Sequence, residues 1–152
     1  MMDITELYQE LILDHSRHPR HFGKMHDPTH HAHGINPICG DDCEVFLNLH
    51  DQTIKDIQFH GIGCAISLAS ASLMSELIES MDIPQAIKYF EQFHQMIVTG
   101  EVPRDQLFDK LKVLSQVKQF PMRVKCATLP WHTLIAALEN KKVNVTTELG
   151  NE

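Results

Sequence analysis

Ile4, Leu7, Tyr8, Leu11 and Ile12 recur at the i, i+3, i+4, i+7, i+8 spacing of one apolar helical stripe and predict an amphipathic helix over 3–17. Asp3 stands at the N-cap position, and Glu6 completes the capping-box spacing. His18-Pro19 ends the helix, because a residue before proline is pushed out of the α region. Between 18 and 37 the period disappears: three prolines, two glycines and six histidines predict an extended loop, with a short edge strand near Ala32–Asn36.

Over 43–50 the period becomes two. Val45, Leu47 and Leu49 point one way, and Glu44, Asn48 and His50 the other, which is a half-buried strand. Asp51-Gln52 makes a turn into a second strand over 53–60, with Ile57 and Phe59 on one face. The pair predicts an antiparallel hairpin that Gly61-Ile62-Gly63 breaks. Helical spacing returns over 64–80, where Ala65, Ala69, Leu73 and Leu77 align among small residues. It continues over 83–97 through Ile83, Ile87, Phe90 and Ile97, and over 105–118 through Leu107, Leu111 and Leu114. A last helix is predicted over 128–140, with Pro130 in its first turn and Trp131, Leu134, Ile135 and Leu138 facing inward. The polar tail 141–152 is expected to fray. These elements predict a single α+β domain over 1–152: a small antiparallel sheet of about three strands, with helices packed on one side.

Composition narrows the function classes. The chain carries 20 acidic and 13 basic residues, a formal charge of −7, and no cationic block, so it lacks the face that nucleic-acid binding requires. No apolar run is long enough to span a bilayer, and MMDITELYQE has no signal-peptide character. The expectation is a cytoplasmic protein without membrane partners. In that compartment thiols stay reduced, and cysteines serve as metal ligands or reactive groups more often than as disulfides.

Four cysteines are present. Cys39 and Cys43 flank the start of the first predicted strand, Cys64 opens a helix after Gly-x-Gly, and Cys126 precedes the last helix. The positive end of a helix dipole favours thiolate at Cys64. Cys39 and Asp41 share a side on an extended segment. Zinc takes four ligands from thiolate, imidazole and carboxylate, which Cys39, Asp41, Cys64 and Cys126 would supply. Cys43 lies about 13 Å along the strand from Cys39, too far for the same ion, and reads as a partly buried strand cysteine. No C-x-x-C pair exists, so spacing alone leaves open both this site and cysteines scattered through a core.

Three motifs go further. N-P-x-C-G-D (36–41), G-x-G-C-A-I-S (61–67) and R-x-K-C-A-T-L-P-W (123–131) together resemble the SufU-type branch of the IscU/NifU-like iron–sulfur assembly family. The stretch LYQELILDHSRHPRHFG resembles that family's opening helix and following loop, and the likeness covers most of 4–140. Lys125 stands where IscU-type chains carry a histidine before the third cysteine. The 62 residues from Cys64 to Cys126 imply an extra helical insertion at about 101–118. Both departures match the SufU type.

The resemblance implies an IscU/SufU-like fold and a sulfurtransferase. Zinc would be held by Cys39, Asp41, Cys64 and Cys126, with Cys39 accepting persulfide sulfur and Arg123, beside the third cysteine Cys126, offsetting the excess negative charge or holding Cys39 between states. The implied partners are a pyridoxal-phosphate cysteine desulfurase (SufS-like) and a downstream iron–sulfur scaffold. The desulfurase would displace Cys39 with a ligand of its own, freeing a thiolate for exchange with a persulfide. Asp41, a harder ligand, would loosen the thiolate cage. Two alternatives use the same residues: a scaffold carrying a transient iron–sulfur cluster, and a structural zinc domain with only an interaction role. Seven of eleven histidines precede Cys39. His15, His18, His21, His26, His30, His31 and His33 are read as single residues along a solvated loop, the alternative being a second metal site, with adventitious nickel or zinc on His30, His31 and His33; His132 is read as an ordinary surface or packed histidine, the alternative being a group that supports the metal ligands.

Overall fold

A computed structural model describes residues 4–139 and 145–146, with side chains from 9 to 139. The alternation that predicts the hairpin is present. β2 (Asp41–His50) and β3 (Thr53–Ile62) pair antiparallel across a turn at Asp51, whose φ is 58°. Val45, Leu47, Ile57 and Phe59 are buried on the shared inner face. β1 (His30–Asn36) pairs antiparallel with β2, completing three antiparallel strands. Val145–Thr146 (β4) adds a parallel pair beside Gly34 and Ile35, giving the order β3-β2-β1-β4. β1 is therefore longer than the predicted edge strand and has a neighbour on each side. Its outward residues His31 and His33 are polar, so apolar alternation does not reveal it. The tail expected to fray supplies these two strand residues; the rest of it, and Asp3 of the expected capping box, lie outside the described residues.

β3 does not stop at Gly61. Gly61 sits opposite Cys43 at φ +153°, and a Cβ there would lie 2.0 Å from the Asp42 carbonyl oxygen. Only glycine lets β3 run this close to β2 and deliver Cys64. Gly61→Ala is expected to cost about 2 kcal/mol or more, seen as a lowered thermal midpoint. Gly40→Ala is the control: its φ is +76° but nothing lies within 4 Å of the added carbon, so it should cost less. On the far side, residues His21 and Gly23 bond to the backbone of Phe59 and partly cover the β3 edge.

The helices gather on the inner face of the sheet. α1 (Ile4–Arg17) ends where His18-Pro19 requires. α2 (Ala65–Ile78) buries small residues, among them Ala69, Ser70, Ala71 and Ser72, which allows it to pack closely against α1, β3 and the last helix. α3 (Ile83–Thr99) is capped by Asp82 and Gln85 and closed by left-handed Gly100. Its buried face is Ala86, Tyr89, Phe93, Met96 and Ile97, rotated from the predicted stripe; Ile87 is 38% exposed. The rotation follows the larger rings, since Phe93 stacks on Trp131 at 4.4 Å between centroids.

The helix predicted over 105–118 is two 3₁₀ segments, Gln106–Phe108 and Leu111–Gln119. Leu111, Leu114 and Val117 line one side at a spacing of three, which suits a 3₁₀ turn. Leu107 is exposed, and Phe108 takes its place in the core.

α4 runs Pro121–Leu138, starting seven residues earlier than predicted. Pro121 takes the first turn, where its missing N–H costs nothing, and Pro130 lies inside the helix. Cys126 is thus within a helix rather than before one. Pro130 removes the N–H that would bond to the Cys126 carbonyl four residues back, leaving that turn without one helical bond. Among the described residues, no helix is long and apolar enough to cross a membrane.

Candidate metal centre

Three elements meet at one end of the sheet. Asp41 opens β2 and is buried, 3% exposed. Cys64 is the N-cap of α2, its sulfur accepting from the Ser67 N–H at 3.5 Å. Cys126 lies in the second turn of α4, fully buried. One ligand atom from each of Asp41, Cys64 and Cys126 lies within 4.8 Å of the other two. The Asp41 carboxylate accepts from the Cys64 N–H at 3.1 Å and lies 3.9 Å from its sulfur. Gly63 makes the approach possible, since a Cβ there would sit 2.1 Å from Ser67 Oγ and 3.2 Å from Asp41 Oδ1.

Cys39 differs in kind. It is exposed, on the turn between β1 and β2, and its sulfur lies 3.7 Å from Cys126 Sγ. All four cysteines are free thiols. A tetrahedral zinc with Zn–S bonds of about 2.3 Å has S–S edges of about 3.8 Å, so the Cys39–Cys126 separation suits a shared ion. Two soft thiolates, a third beside them and one carboxylate are a donor set that zinc accepts.

Asn36, which spacing analysis did not single out, holds the turn. Its Oδ1 accepts from the N–H groups of Ile38 and Cys39 at 3.3 and 3.5 Å, and its carbonyl accepts from Gly40 at 2.8 Å. Its Nδ2 is buried with no partner among the described residues. The signal was present, because an asparagine before Pro-x-x-Gly is an Asx-turn former.

The charges are coupled. A hydrogen bond from the Cys126 thiol, against the opposing effect of burial, pulls Cys64 down to about 6, and the Ser67 N–H adds to this. Cys126 is held up by donating to Cys64 and by burial, so the pair keeps one proton on Cys126. Arg123 precedes Cys126 by three residues on the same helix face. The Cys64 charge, followed by a hydrogen bond with Cys126, raises its guanidinium further.

Cys43 is not part of the cluster. It is buried under the helices, and burial followed by the Asp42 charge pushes its thiol up to about 12. His132 packs edge-on against Phe90 and His94, at 5.3 and 5.8 Å between centroids. The picture of single loop histidines needs correction. His15 is buried in α1 with Nδ1 2.7 Å from Ser72 Oγ, His21 lies 2.9 Å from Ser75 Oγ, and His31 and His33 belong to β1.

Large apolar side chains close in sequence to the site residues are exposed. Ile38 beside Cys39 is 59% exposed, Ile62 near Cys64 73%, and Phe120 near Arg123 58%. A groove of about 590 Å³ between α1 and the start of α4 continues this surface, lined by Ile12, Ile66, Val117, Phe120, Met122 and Arg123 among others. Exposed apolar surface grouped in this way marks a contact face.

Residues 7–127 match the family model described as NifU-like N terminal domain. The chain is 35% identical to the zinc-dependent sulfurtransferase SufU of Bacillus subtilis, covering 87% of this chain and 89% of that one. It is 38% identical to the iron–sulfur cluster assembly scaffold protein IscU of Thermotoga maritima, covering 88% and 93%. A crystal structure from Fervidobacterium islandicum, of a proposed iron–sulfur cluster assembly scaffold protein for the SUF system, superposes with a TM-score of 0.81 at 32% identity, over 90% of this chain and 99% of that one.

Proposed function

The chain belongs to the NifU-like N-terminal domain family of iron–sulfur cluster assembly proteins, and we propose that within it this protein is a sulfur acceptor of the SufU kind. One observation carries the reading. Three candidate ligands, Asp41, Cys64 and Cys126, sit on a strand and two helices, while the fourth, Cys39, sits exposed on a turn 3.7 Å from Cys126. Such a site can release one sulfur and keep the rest in place.

Asp41, Cys64, Cys126 and Cys39 would hold zinc, which keeps coordinated thiols deprotonated near neutral pH. The chain's own residues then do the following. The Pro37–Gly40 turn carries Cys39 outward toward a partner docked on Ile38, Ile62 and Phe120. The Cys39 thiolate attacks the terminal sulfur of a persulfide on a cysteine desulfurase. A new sulfur–sulfur bond forms on Cys39, the partner's sulfur–sulfur bond breaks, and the partner's cysteine leaves as thiolate. Arg123 offsets the negative charge that gathers at Cys64 and Cys126. Lys125, in the position before Cys126, has no imidazole to offer a cluster.

The scaffold reading has its own support in the IscU-named relative from Thermotoga maritima. The experiment that separates the two joins metal analysis to turnover of a pyridoxal-phosphate cysteine desulfurase. The acceptor reading expects a colourless protein with one zinc per chain that raises turnover, and Asp41→Ala lowers both zinc content and sulfur transfer. A brown protein that carries iron and leaves turnover unchanged favours the scaffold.

A further inference from the structure

The side of the sheet away from the helices carries chemistry that the thiol site does not use. Glu44 faces outward from the middle strand, since its neighbours Cys43 and Val45 are buried inward. The register places His33 of β1 and His60 of β3 directly opposite Glu44, one on each side. Residues opposite one another on antiparallel strands have Cβ atoms about 5 Å apart. His31, two residues before His33, reaches Glu44 diagonally, with Nε2 2.9 Å from Oε2. One imidazole thus contacts the Glu44 carboxylate, and two more stand at the strand positions opposite it. Asp42, next along the same face, lies 2.8 Å from His33 Nε2.

We propose that this outer face holds a second divalent-metal site, with His31, His33 and His60 gathered on Glu44. Imidazole with carboxylate suits zinc, cobalt, nickel and copper, and is a poor match for calcium or magnesium. Asp42 supplies what metal-bound histidines commonly have, a carboxylate on the other ring nitrogen that fixes the ring. With Nε2 of His33 on Asp42, Nδ1 is the nitrogen that turns to the ion. Phe46 stacks on His31 at 4.7 Å and Phe22 lies against His60 at 5.2 Å. Among the described residues only Asp41, Cys64 and Cys126 already converge within 4.8 Å. On the outer face the rings close by rotating about side-chain bonds, which solvent-facing positions permit.

The test uses the zinc-loaded protein titrated with cobalt(II). Cobalt on thiolates shows intense sulfur-to-metal charge transfer; cobalt on imidazole and carboxylate shows only weak d–d bands. The expected result is one added equivalent of cobalt with d–d bands alone. Glu44→Gln and His60→Gln should each weaken it at least about tenfold without loss of zinc from the thiol site. Circular dichroism checks that both variants keep the sheet. No added cobalt, cobalt bound only with sulfur charge transfer, or full affinity in either variant overturns the proposal. Failure of the thiol site is seen separately, as absence of charge transfer when metal-free protein takes up cobalt.

Discussion

Cys39→Ala is expected to return cysteine desulfurase turnover to the rate without acceptor, and the metal-free variant to keep a thermal midpoint within about 2 °C of the metal-free wild type. The two halves of this result have different causes. Cys39 is exposed on a turn, and its sulfur lies 3.7 Å from the Cys126 sulfur. The turn itself is held by backbone N–H groups on Asn36, which the substitution leaves in place. Stability therefore changes little, while the only exposed thiol of the four is gone. Cys126→Ala makes the contrast. It empties a fully buried position in α4, so both the fold and the metal site suffer. Desulfurase assays and thermal melts on the two variants distinguish an acceptor from a mere ligand. Wild-type turnover in Cys39→Ala would remove Cys39 from the acceptor role.

Cys39 and Cys64 stand out in the sequence because each sits beside a residue that breaks or bends the chain. Cys39 lies between Pro37 and Gly40, and Cys64 follows Gly61 and Gly63. The hairpin was legible because a buried face at period two leaves a pattern in sequence. What failed did so for physical reasons. Pro130 read as the start of α4 because proline is common there, but Pro121 holds that place and the helix tolerates a second proline inside. The Leu111–Gln119 segment read as α because spacing of three is common to both helix types. β1 was read only as a short edge strand near Ala32–Asn36, because its outward side is built from His31 and His33 paired with Glu44 and Asp42. Cross-strand ion pairs become visible only once the register is known. Cys126 was placed before the last helix and lies inside it, and the helix matters, because it buries the sulfur and puts Arg123 one turn away.

If the proposed zinc is bound, chelation is expected to lower the thermal midpoint by roughly 8–16 °C and to leave a cooperatively folded protein. The magnitude follows from linkage. A ligand present at a thousand times its dissociation constant stabilises the native state by about 4 kcal/mol, and 1 kcal/mol shifts a domain of this size by about 2–4 °C. Persistence of the fold follows from where the core lies. Trp131, Phe93, Phe59, Leu47 and Ile57 are buried between the sheet and the helices without help from the thiols. Without metal, the Cys126 proton shared with Cys64 and the Asp41 bond to the Cys64 N–H keep the three groups satisfied in place. Calorimetry before and after chelation, with zinc added back, checks both claims. Outright unfolding on chelation would mean that the ion is structural, and then Cys39 could not leave it during turnover without loosening the three elements it joins. A midpoint indifferent to both chelation and zinc would mean that Asp41, Cys64 and Cys126 meet for some reason other than a metal.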